Sequence, residues 1–153
     1  MKKAELQEQW NYLKLILGNV RQQVALIPES KLGFKPTPDV RSLSELAVHM
    51  HMFLTDSTSS VLSGAHVQGA EPAFVKKADL LTWIDQQVDT AYTNFGKITD
   101  AQIAAKIVAW GETFACDKML SFVFDEVVHH RGQLTVYLRL IGIPPIFIYK
   151  FEP

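Results

Sequence analysis

From about residue 4 to residue 27, the apolar side chains Leu6, Trp10, Leu13, Leu17, Val20 and Val24 recur at steps of three and four. That is the spacing of one buried helical face, and Pro28 closes the run. Residues 29–40 contain Gly33, Pro36 and Pro38 and read as a connecting loop. A second helix is predicted from Ser42, because Glu45 three residues later completes a capping box for the first free amides. Its stripe runs through Leu43, Leu46, His49 or Met50, and Phe53, then fades in the polar stretch 55–60; loop signals follow at 63–65 and 69–72. A third helix runs from Lys76 or Lys77 to Phe95, with Leu80, Ile84, Val88, Ala91 and Phe95 inward and Gly96 as its stop. Residues 98–115 fit either extended chain or a short helix, with a turn at Gly111 and Thr113. The last helix spans about 116–141, is ended by Gly142 to Pro145, and is followed by an apolar tail at 146–149.

Four long amphipathic segments predict an all-α fold, a four-helix bundle, and the long connections after Pro28 and around Trp110 predict at least one crossover. With 153 residues, nearly half of them apolar, the chain reads as a single domain, 1–153, able to bury a full core. Gly132 inside the last helix costs roughly 1 kcal/mol relative to alanine, which predicts close approach of a neighbouring backbone. A formal net charge of -1 argues against nucleic-acid or anionic-membrane partners. No run is long enough for a membrane span, and the N-terminus turns polar too early for a signal peptide. Cys116 alone cannot form an internal disulfide, so a cytoplasmic setting is expected.

Candidate chemistry lies on the last helix. Met119, Val123, Glu126, His130, Leu134 and Tyr137 share one inward stripe, which places a carboxylate and an imidazole in the core, where each needs a partner. His49 shares a face with Leu46 and Phe53, so it too is expected to look into the bundle and to meet Glu126 and His130. Two histidines and one carboxylate from facing helices suit a metal ion with open coordination positions; a hydrogen-bonded core pair is the alternative. His129 forms a Glu-x-x-His pair with Glu126, but a two-metal bundle needs that motif twice and it occurs once. His129 is therefore expected to contact a neighbouring helix or to support the site. His51 and His66 are expected to be solvated, Cys116 to be a small buried hydrophobe, and Arg131 to pair with Glu45 or Asp125 or to sit at a subunit contact. Trp110 is a candidate pocket wall.

The segments His129-His130-Arg131-Gly132-Gln133-Leu134 and Arg41-Ser42-Leu43-Ser44-Glu45-Leu46-Ala47-Val48-His49, about eighty residues apart, resemble the signature of the DinB-like (YfiT-like) metalloenzymes. The chain length and the ending from Gly142 to Pro145 match as well. This resemblance implies an up-down-down-up bundle, commonly a homodimer, and a divalent metal, usually nickel or zinc, held by three histidines. By position the ligands are His49, Glu126 and His130, with glutamate standing where the family pattern has histidine. A carboxylate there favours metals more tolerant of oxygen ligands, such as iron or manganese. The resemblance also implies a small-molecule substrate and a transferase reaction that uses a low-molecular-weight thiol such as bacillithiol. The competing expectation is a non-catalytic, stress-associated bundle or small-ligand binder that has lost the metal, with Glu126 ion-paired to His130 or His49.

Overall fold

The computed structural model describes residues 1–150; residues 151–153, included in the expected domain, lie outside the described part. Its elements are α1 (Lys3–Leu26), α2 (Leu43–Ser63), α3 (Lys77–Lys97), α4 (Asp100–Ala104), β1 (Lys106–Ala109), β2 (Glu112–Ala115) and α5 (Cys116–Leu140). Helices α1, α2, α3 and α5 form the bundle, and cross-helix contacts fix their directions. Along α1 and α3, Trp10 meets Phe95, Arg21 meets Asp85 and the Lys77 ammonium meets the carbonyl of Ala25, so the two are antiparallel. Thr55 bonds Gln87 and Ser59 accepts from Asn94, which makes α2 and α3 parallel. Met1 meets Asp117 and Tyr12 packs on Phe124, which makes α1 and α5 parallel. The course is therefore up-down-down-up.

The core follows the predicted stripes. Trp10 and Phe95 stack with ring centroids 4.3 Å apart, and the Tyr92 hydroxyl donates to the Trp10 carbonyl at 2.6 Å. At the start of α2 the Ser42 hydroxyl accepts from the Glu45 amide at 3.2 Å, and the Glu45 carboxylate accepts from the Ser42 amide at 2.7 Å. Such a cap contributes about 1 kcal/mol. Helix α2 does not fade at the hydroxyl-rich stretch. Thr58 is buried and donates to the Leu54 carbonyl at 3.0 Å, and the Thr55 hydroxyl donates to the Gln87 side chain. Small hydroxyl residues whose polar atoms bond back onto the helix, or across to its neighbour, can line a close helix seam.

Residues 98–115 hold both of the predicted conformations. Thr99 and Gln102 form a capping box for α4, and a two-stranded antiparallel hairpin follows, pairing Ile107 with Phe114 and Ala109 with Glu112. Its turn is Trp110-Gly111 with φ of 52° and 81°, the two positive angles that a tight two-residue hairpin requires.

Four expectations are corrected. A Cβ on Gly132 would meet nothing within 4 Å, so no backbone crowds it and nothing in the structure explains a glycine there. Arg131 is buried and donates to the Ile148 carbonyl at 3.2 Å, tying α5 to the tail and not to Glu45 or Asp125. His51 is fully buried: the stripe of α2 is broad, and this residue faces the core on the side away from His49. Its Nδ1 lies 2.7 Å from the Ala47 carbonyl, and burial lowers its pKa to about 4. His66 is half-buried with its ring edge on Trp110 at 4.9 Å, because the loop after α2 folds back over that helix.

Candidate metal centre

His49, Glu126 and His130 converge at one level of the bundle, each offering a ligand atom within 4.8 Å of the others. Helix α2 supplies His49 from one side, while α5 supplies Glu126 and His130 from consecutive turns, where residues four apart share a face. His130 Nε2 lies 3.0 Å from Glu126 Oε2, and His49 Nε2 lies 3.6 Å from the same oxygen. His130 is nearly buried, and the other two side chains are partly exposed. Burial lowers the His130 pKa, outweighing the opposing hydrogen bond to the Gln133 amide oxygen and the charge of Glu126, which favours the neutral ring.

The outward nitrogens of both rings are engaged. His49 Nδ1 lies 2.6 Å from the Glu71 carboxylate, and His130 Nδ1 lies 2.8 Å from Gln133 Oε1. Both of these outer partners accept, so with a cation among the three inner atoms each Nδ1 would keep its proton and each Nε2 would offer its lone pair. Two imidazole nitrogens and a carboxylate oxygen then form a donor set that a cation can hold together. Carboxylate or amide partners behind ligating histidines are the usual way a protein sets ring orientation at a metal. The donor set therefore fits a divalent ion, held by two histidines and one carboxylate with coordination positions left open.

A cavity of about 480 Å³ opens beside His49 and Glu126. Its walls include Met52 and Phe53 from α2, Trp110 from the hairpin turn and Met119 from α5, which confirms Trp110 as a wall residue. A second cavity, of about 720 Å³, lies on the His130 side and carries Arg41, His129 and Gln133; Glu71 borders both. His129 stays outside the triad. It is exposed, and its Nε2 lies 3.2 Å from the Gln133 amide, so Gln133 bridges the two adjacent histidines. Cys116 is buried away from the site, and burial together with Asp117 pushes its thiol pKa up, the opposite of an activated thiol.

Sequence reasoning missed Glu71 and the supporting role of Gln133. Gln133 was within reach of it, since it stands one helical turn after His130. Glu71 reaches His49 from a loop 22 residues further on, with no periodic signal to mark it.

The comparisons with known proteins agree with this architecture. A DinB-like protein from Bacillus cereus superposes with a TM-score of 0.74 at 19% identity, covering 94% of this chain and 95% of its own. A DinB-like protein from Bacillus subtilis gives a TM-score of 0.71 at 16% identity, covering 92% of this chain and 99% of its own. At those identities the likeness is one of fold. No curated protein matches the chain. The sequence pattern of the DinB family, in contrast, matches residues 2–152. With that match spanning nearly every residue, the chain belongs to the DinB family.

Proposed function

We propose that the protein is a divalent-metal-dependent enzyme that transfers a low-molecular-weight thiol, such as bacillithiol, to an electrophilic small molecule. The observation that carries the metal part is the set of three converging acceptors, His49 Nε2, His130 Nε2 and Glu126 Oε2, with both Nδ1 atoms held by Glu71 and Gln133. When bound, the ion supplies Lewis acidity that lets a thiol lose its proton near neutral pH. The protein's own contribution is positional. Glu71 and Gln133 hold the two imidazoles in the ligating tautomer, while Met52, Phe53 and Trp110 give the cavity apolar walls that orient an apolar acceptor. The thiol class rests on the family resemblance, and nickel, zinc, iron and manganese are all compatible with the donors. A cytoplasmic setting belongs to the same proposal, in keeping with a single buried cysteine. No helix of the described residues is long and apolar enough to cross a membrane.

A second reading is favoured by one distance. The 3.0 Å approach of His130 Nε2 to Glu126 also suits a shared proton in a non-catalytic, stress-associated bundle. Metal analysis separates the two. Protein purified without an immobilised-metal column is expected to carry close to one divalent ion per chain, lost in His49→Ala, and the ion is expected to raise the melting temperature of the wild type only. Absence of metal from both proteins after incubation with nickel, zinc, iron and manganese would leave the non-catalytic bundle.

A further inference from the structure

We propose that the cavity beside the triad binds an elongated small molecule with an apolar body and a protonated amine at one end, the amine seated on Asp56. The proposal deepens the reading above, because the cavity abuts His49 and Glu126, but binding of the amine does not itself require the ion. Asp56 lines the cavity from α2, seven residues after His49. Seven residues are two helical turns, or roughly 10 Å along the axis. The site thus has two polar ends with an apolar stretch between them, formed by Met52, Phe53, Trp110 and Met119.

Charge decides which polar group belongs at the far end. The ionisable groups of the lining are three carboxylates, Asp56, Glu71 and Glu126, and two imidazoles, His49 and His66, with no lysine or arginine. Glu71 and Glu126 are occupied by His49 and His130. Asp56 accepts the Gly69 amide at 3.0 Å and forms no ion pair among the described residues, so it is the carboxylate left for a ligand. Three carboxylates outweigh even a bound divalent ion by one charge, which favours a cation and opposes an anion. Burial raises the Asp56 pKa, against the Gly69 amide and the nearby His66, which lower it, and a cation seated on the carboxylate would offset that burial.

The walls next to Asp56 suit the same ligand. Phe53 and Trp110 lie nearly parallel with centroids 6.1 Å apart, and His66 sets its edge on Trp110. Aromatic faces beside a carboxylate are the usual surroundings of a bound ammonium group. The hairpin turn sets Trp110 in this wall, at a positive φ that such a turn requires. A volume of about 480 Å³ accommodates a molecule the size of a phenylalkylamine.

The test compares 4-phenylbutylamine with 4-phenyl-1-butanol, which has the same body and a neutral end. Binding is read by Trp fluorescence on chelator-treated and on zinc-loaded protein, with Trp110→Phe identifying the reporting ring. The amine is expected to bind at least about tenfold more tightly than the alcohol. Asp56→Asn, which can still accept the Gly69 amide, is expected to abolish that preference while leaving the alcohol unchanged. Equal affinities in the wild type, which needs no variant to measure, would overturn the proposal, as would a preference that survives in Asp56→Asn. Zinc uptake, measured on the same samples, judges the metal reading separately. An amine preference in a protein that takes up none of nickel, zinc, iron and manganese would remove the enzyme and keep the amine site, and metal binding without the preference would do the reverse.

Discussion

Two acceptors that coordinate nothing decide what the triad can do. With Glu71 and Gln133 anchoring the Nδ1 atoms, the Nε2 atoms of His49 and His130 are turned toward Glu126. Glu71→Gln keeps an acceptor but loses the charge behind His49. Its metal affinity is expected to fall about tenfold to a hundredfold with the fold intact, measured by competition with a chromophoric chelator. Asp56 makes a prediction about pH. Its folded-state pKa is raised, so between the unfolded and folded values the native protein binds the proton more tightly, and stability falls as pH rises through that window. Above the window the cost is present in full, so Asp56→Asn is expected to stabilise the protein at pH 7 and to lose that advantage near pH 3. Denaturant midpoints at both pH values check this, and a pH-independent difference would contradict it.

At the scale of elements, the long helices were legible because burial on a helix writes itself into steps of three and four, as Leu6, Trp10 and Leu13 show on α1. The same spacing made Glu126 and His130 neighbours. The turn at Gly111 was legible but the hairpin was not, because Trp110 stands where such turns usually show Asn or Asp. The later turns of α2 were obscured because Ser57, Thr58 and Ser60 are buried polar residues, which a hydrophobic pattern counts as surface. Asp56 sits in that overlooked stretch, and for that reason it escaped notice with it. Gly132 offers an element-level test. It lies in regular helix with open space where a side chain would go, so Gly132→Ala is expected to stabilise the fold by about 0.5–1 kcal/mol in chemical denaturation.

For the whole molecule, the parallel pair α1 and α5 presents Leu15, Val136 and Leu140 as exposed large apolar side chains. We propose that the homodimer implied by the family resemblance covers these side chains. Sedimentation equilibrium is expected to give a dimer for the wild type and a monomer for the Leu15→Glu, Val136→Glu double variant, with metal content unchanged in both. Equal masses for the two would place any dimer contact elsewhere.

The parallel course of α2 and α3 has a further geometric consequence. Helix α2 ends at Ser63 and α3 begins at Lys77, at the opposite end of the bundle, so residues 64–76 must run back along the full height of a 21-residue helix. That height is roughly 31 Å, and thirteen residues reach at most about 43–47 Å when fully extended. The return strap therefore has only three or four residues to spare, and it is this strap that lays Gly69 on α2 and delivers Glu71 to His49. Insertions would merely add slack, but each deletion would draw Glu71 along the bundle relative to a ring that cannot follow it. The length of this connection is thus a gauge for the centre, set by the order in which the helices are threaded.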